Sequence, residues 1–119
     1  MYFINSTAHG VLDYLTVVIF AVGPTMAGFS GRQATICYLL AVVHLLLTLI
    51  TRFPLGVWKT VPLPLHGSVE LIVSLFLVAL PWIAGFSAGV LSRNFFVAMG
   101  LVVFLVWLIS DYRGAGRTV

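Results

Sequence analysis

Charge is what this chain has least of. Of its 119 residues 8% are Asp, Glu, Lys or Arg, six basic against three acidic, where a soluble domain carries about a quarter. That scarcity excludes an ordinary water-facing surface. The net charge of +3 is read from its placement, at the ends of apolar runs, and points to a lipid bilayer as the surroundings and not to nucleic acid. Cysteine occurs once, as Cys37 inside an apolar run. An intramolecular disulfide is therefore excluded, and the redox compartment stays open. Also missing are a nucleotide-binding glycine loop, CxxC, HExxH and GxSxG, and no serine or cysteine nucleophile stands beside a base. Hydrolytic and phosphoryl-transfer chemistry has no support, and the chain reads as a non-enzyme before it reads as an enzyme.

What is present is apolar: 61% of the residues are hydrophobic and the mean hydropathy is +1.16. Crossing the hydrocarbon core takes about 20 mostly apolar residues per helix. Four runs qualify, about Leu12–Phe29, Ala34–Thr51, Ser68–Phe86 and Phe95–Ser110. They use most of the chain and leave no room for a soluble domain. No basic leader precedes the first run, so it reads as a span and not as a cleaved signal.

The chain carries one stretch twice. HGSVELIVSLFLVALPWIAGFS, from His66 to Ser87, lies 57 residues after HGVLDYLTVVIFAVGPTMAGFS, from His9 to Ser30. His, Gly, Pro, Ala, Gly, Phe and Ser recur in register, and Glu70 answers Asp13. Aliphatic residues match by chance in any two greasy segments; this set does not. The second and fourth spans match more weakly, with LITRF against LISDY at an offset of 59. Repeat 1 is expected over about 9–53, repeat 2 over about 66–112, and a connection over about 54–65, all within a single transmembrane domain. Its prolines Pro54, Pro62 and Pro64 argue against continuous helix, and Trp58 beside Lys59 suits the headgroup level. Gly31–Gln33 is expected to link the first two spans. Asn5, Ser6 or Thr7 is available as the first N-cap, and Pro24 and Pro81 are expected to kink their helices, freeing the carbonyls of Phe20 and Leu77.

Each repeat holds two spans, so both copies enter the membrane from one side as parallel hairpins. Arg52, Lys59, Arg113 and Arg117 then share a side with both termini, against Arg32 and Arg93 opposite, which places the termini in the cytoplasm.

His9 and Asp13, like His66 and Glu70, are four residues apart and share a helix face. The repeat brings both pairs to one depth, near Arg52, Lys59, Asp111 and Arg113. The first reading is structural: the carboxylates pair with those cations, the histidines cap helix starts, and the layer sets helix register or serves assembly with itself or a larger membrane complex. The second makes His9, Asp13, His66 and Glu70 a ligand site for a divalent metal, or His9 and His66 the ligands of a haem. The third is a small proton or ion channel or transporter. His44 stands apart, mid-span, with Val103 at the matching place. Its plainer role is a neutral histidine bonded to a carbonyl or to Thr48, with ligand duty as the alternative.

His9-Gly10-Val11-Leu12-Asp13-Tyr14, Trp58-Lys59-Thr60-Val61-Pro62 leading to His66-Gly67, and Leu80-Pro81-Trp82 with Gly85-Phe86 give the chain a further bearing. Over about residues 7–112 it resembles the SPW-repeat family of small bacterial four-helix membrane proteins. The Ser-Pro-Trp signature stands here as Leu80-Pro81-Trp82 and Gly23-Pro24-Thr25. The resemblance implies a two-repeat fold in a bacterial inner membrane and no particular reaction. The expected fold is all-α: a four-helix transmembrane bundle of two parallel hairpin repeats.

Overall fold

The computed structural model describes residues 3–112. Among these residues four helices make up the fold: α1 (Ser6–Ala27), α2 (Gly31–Ile50), α3 (Leu63–Ile83) and α4 (Val90–Ile109). Each is long and apolar enough to cross a membrane; 20 to 22 residues at about 1.5 Å each reach about 30 Å. The architecture is the all-α four-helix membrane bundle that the composition implies.

The helices begin several residues before the apolar runs do. Asn5 starts α1, its Oδ1 accepting from the Ala8 amide at 2.9 Å, as an N-cap should. α3 starts at Leu63 and contains Pro64 in its first turn, where a missing N–H leaves no helical bond unmade. Pro64 is therefore part of the helix and not of the connection. Gly31–Gln33 is likewise the first turn of α2, and the link is residues 28–30. The turn is made by Gly28, with φ at +83°, in the left-handed region that glycine enters without steric cost. Its repeat mate Gly85 does the same at +78°.

Pro24 and Pro81 both lie inside continuous helix. The Phe20 carbonyl that Pro24 deprives of its amide accepts instead from the Cys37 thiol at 3.1 Å, which satisfies a group that lipid could not.

α1 packs along α2 and α3 along α4, and α1 also meets α4. Both links lie at one end, the hairpin end, where Gln33 at the start of α2 bonds Ser92 at the start of α4. At the other end the chain closes on itself with twofold character. Ile4, ahead of α1, bridges to Ser110 at the end of α4, and Val61, ahead of α3, bridges to Thr51 at the end of α2. Offsets of 57 and 59 relate the two bridges. The repeats are thus parallel hairpins, each receiving the exit of the other copy beside the start of its own histidine-bearing helix.

Burial is inverted relative to a soluble protein. Large apolar side chains such as Leu39, Val43, Ile72 and Leu101 face outward, where lipid is their solvent. Among the described residues twelve buried side chains are polar or charged, most of them gathered away from the hairpin end. Toward the hairpin end, Phe20, Cys37, Leu77, Phe86, Phe96 and Met99 form an apolar core. Toward the other end lies the polar layer.

Candidate functional site

His9 and Asp13 face inward one turn apart on α1, as do His66 and Glu70 on α3. All four are essentially buried, exposed by 1%, 2%, 0% and 3%. The imidazoles stand 5.6 Å apart, edge to face. The shortest contacts run between repeats, not within them. His9 Nε2 lies 2.9 Å from Glu70 Oε2 and 3.2 Å from Asp13 Oδ1. His66 Nε2 lies 3.0 Å from Asp13 Oδ2 and 3.7 Å from Glu70 Oε1. One donor atom from each of the four residues falls within 4.8 Å of every other.

The outer ring nitrogens are held by hydroxyls. His9 Nδ1 meets Ser110 Oγ at 2.8 Å, and His66 Nδ1 meets Thr51 Oγ1 at 2.7 Å. Each hydroxyl has one proton, and each gives it to a carbonyl a turn earlier: Ser110 to Val106 at 2.5 Å and Thr51 to Leu47 at 2.6 Å. The hydroxyls must therefore accept from Nδ1–H. A neutral imidazole so anchored turns its Nε2 lone pair toward the carboxylates. Neither Nε2 meets a carboxylate oxygen in hydrogen-bond geometry, short as the distances are, and Asp13 Oδ2 is also without a directional partner.

Two rings roof the site. A Cβ on Gly10 would sit 2.8 Å from the Phe53 ring, and one on Gly67 would sit 2.8 Å from the Tyr112 ring. The glycine after each histidine is what lets an aromatic lie flat over the helix start. Phe53 then approaches the His66 ring at 5.8 Å and Tyr112 the His9 ring at 5.1 Å. Thr51 matches Ser110, and Phe53 matches Tyr112, at the offset of 59 that aligns LITRF with LISDY. The alignment carried this signal, and its meaning emerges only once the helix ends are placed beside the histidines.

The two halves differ at one polar neighbour each. The Tyr112 hydroxyl donates to Glu70 Oε2 at 2.5 Å. Burial, and then the Glu70 carboxylate, hold its pKa far above the usual value near 10.0, so it remains a donor. His44 brings Nε2 to 3.5 Å from Asp13 Oδ1. His44 also lines a small crevice with Phe20, Leu40, Val43, Leu47, Val69 and Val73. Thr48 bonds the backbone carbonyl of His44 at 2.7 Å and not its ring, so the ring belongs with Asp13.

The expected cationic partners are elsewhere. Arg52 Nε donates to the Lys59 carbonyl at 3.0 Å, and Lys59 Nζ donates to the Phe53 carbonyl at 2.8 Å. Loop carbonyls lie nearer to these side chains than Asp13 and Glu70 do, and histidines take the carboxylates instead. Nor do the histidines cap helix starts, since Asn5 caps α1 and Pro62 precedes α3. Asp111 is buried, with its amide bonded to the Ile4 carbonyl at 3.1 Å. Arg113 lies outside the described residues.

Compared with known proteins, the chain matches no family model, no curated protein and no solved structure.

Proposed function

We propose that this small multi-pass membrane protein holds one divalent transition-metal ion between His9, Asp13, His66 and Glu70. The observation behind this is the pair of Nδ1 contacts to Ser110 and Thr51, which leave both Nε2 atoms directed at two carboxylates inside a buried layer; in the neutral rings those Nε2 atoms carry lone pairs. Lone pairs facing anions repel unless positive charge lies between them. A dication with two neutral imidazoles and two carboxylates sums to zero, the cheapest charge state for a low-dielectric interior.

The spacings agree with that reading. Ligands bound at about 2.0–2.2 Å lie about 3.0–3.5 Å apart around a four- to six-coordinate ion, against 2.9–3.7 Å here. The full 4.8 Å span exceeds the separation of adjacent ligands by more than an ångström. The farthest pair therefore fits as opposite ligands of a six-coordinate ion, about 4.0–4.4 Å apart at twice the bond length, or closes by side-chain movement of about that size. Mixed imidazole and carboxylate donors suit zinc, iron or manganese. Thiolate is absent from the set, as Cys37 bonds the Phe20 carbonyl. A haem fits poorly because the carboxylates fill the space between the imidazoles.

A second reading has one observation in its favour. The same short N···O distances would serve two imidazolium ions paired with the two carboxylates, a metal-free ionic layer that fixes helix register. Metal analysis of protein purified in detergent without chelator separates the two. About one equivalent of zinc, iron or manganese is expected, removable by chelator, restored on titration, and lost in Asp13→Asn with Glu70→Gln. Protein that stays folded yet neither retains nor rebinds metal would overturn the metal reading.

The resemblance to the SPW-repeat family supports placing the protein in a bacterial inner membrane. Arg52 and Lys59 at the site end, with Arg113 and Arg117 following in sequence, support a cytoplasmic orientation of that end.

A further inference from the structure

The long connection between α2 and α3 is a built loop. Amides of Val57 and Trp58 donate to the Leu49 carbonyl, and those of Thr60 and Val61 to the Ile50 carbonyl, all at 2.8–2.9 Å. Carbonyls at the α2 terminus that lack helical partners are thereby satisfied. Arg52 N donates in turn to the Val61 carbonyl at 2.8 Å. This framework holds two cationic side chains on one cavity. Arg52, Phe53, Pro54 and Lys59 line an open hollow of about 270 Å³ whose walls are mostly apolar.

The donors left over suit one kind of ligand. Arg52 Nε is engaged by the Lys59 carbonyl, and among the described residues the two terminal guanidinium nitrogens bond no other group, which leaves a fork whose geometry matches phosphate oxygens. Lys59 Nζ is directed at the Phe53 and Pro54 carbonyls at 2.8 and 3.5 Å and has three N–H donors in all. Two like charges lining one hollow repel each other until an anion joins them. The hollow sits at the end of a membrane-spanning helix, and the same loop exposes Trp58 by 63%, a side chain suited to the headgroup level.

We infer that the Arg52–Lys59 hollow is a phosphate-binding site at the membrane boundary whose occupant is the phosphodiester headgroup of an anionic phospholipid. Guanidinium and ammonium take the phosphate oxygens, and the exposed Pro54 lies beside the glycerol. The site is separate from the His9–Glu70 cluster, and its occupancy does not depend on whether that cluster holds metal.

The test reconstitutes the full chain into discs of phosphatidylcholine with a minor share of phosphatidylglycerol, releases it into mild detergent, and counts retained lipid by native mass spectrometry. One phosphatidylglycerol per chain is expected. Each basic residue lost near an anionic surface should lower retention by about fivefold, so Arg52→Gln and Lys59→Gln each weaken it and together abolish it. Arg52→Lys keeps the charge without the fork and should fall between parent and Arg52→Gln, which guards against a folding defect being read as lost binding. Inorganic phosphate added in excess distinguishes the sources: retention that survives it names the lipid. Displacement, with a thermal shift by phosphate alone that Arg52→Gln removes, names free phosphate at the same site. Equal retention of phosphatidylcholine and phosphatidylglycerol, or equal retention by parent and double variant, together with no phosphate-induced shift, would overturn the inference.

Discussion

Replacing Thr51 by Val tests the anchoring of the metal site most directly. Valine keeps the branched shape, so the roof and the end of α2 retain their packing, and what goes is the acceptor of His66 Nδ1–H at 2.7 Å. Two magnitudes bear on the outcome. A buried donor left without a partner costs about 1–3 kcal/mol. Loss of the hydrogen-bond partner behind a metal-bound histidine lowers affinity by about 10–100-fold, which is about 1.4–2.8 kcal/mol at 1.4 kcal/mol per decade. The two estimates coincide. We therefore expect Thr51→Val to weaken zinc binding by one to two decades, measured by competition with a chromophoric chelator in detergent. Ser110→Ala should do the same through His9. Imidazole ¹⁵N spectra of the metal-free parent should show the neutral rings carrying their proton on Nδ1. Zinc affinity of folded Thr51→Val within about twofold of the parent, or a neutral His66 protonated on Nε2, would refute the reasoning.

Two further expectations come from the roof. Gly67→Ala places a methyl 2.8 Å from the Tyr112 ring, an overpacking worth about 1–3 kcal/mol; a lowered melting temperature and an altered Tyr112 environment in fluorescence or NMR should follow, and an unchanged melting temperature would show that the ring does not rest there. Tyr112 itself should resist ionisation. Its folded pKa is raised above the ordinary value near 10.0 by burial and by Glu70, so an unfolded chain loses this proton at a pH where the folded chain keeps it. The contribution is fully present below about pH 10 and is lost as pH rises beyond it. Spectrophotometric titration should find the same number of tyrosines ionising near pH 10 in the parent and in Tyr112→Phe, although the parent has one more, and the parent's stability should fall more steeply above pH 10 than that of Tyr112→Phe.

Much of the architecture was legible before any coordinates. Apolar runs fix the number of spans, and the recurrence of His-Gly and a carboxylate four residues on fixes their parallel arrangement, because two spans per copy return the chain to its starting side. Helix starts were harder to read. Ser6–Leu12 and Leu63–Gly67 are polar or proline-bearing, so hydropathy misses turns that capping and first-turn tolerance make helical. Of the cations expected beside the carboxylates, Arg52 and Lys59 lie elsewhere for a local reason: they find carbonyls of their own loop first. The crossed pairing of His9 with Glu70 and His66 with Asp13 was out of reach, since helix periodicity reports which residues share a face and not which face meets it. The hydroxyl anchors were within reach, as Thr51 and Ser110 occupy matching places in the weaker half of the repeat.

The crossed contacts bear on how such a chain could arise. Each hairpin supplies one imidazole and one carboxylate, and the closest neighbours of each come from the other hairpin, so a single hairpin has no site of its own. Two identical hairpins docked around a dyad would build the whole constellation, which makes a symmetric dimer a workable ancestor and tandem fusion a step that changes no contact at the centre. Once joined, the copies were released from having to match. The tyrosine hydroxyl at one carboxylate and the third imidazole at the other are departures that a dimer of identical chains could not have acquired one at a time.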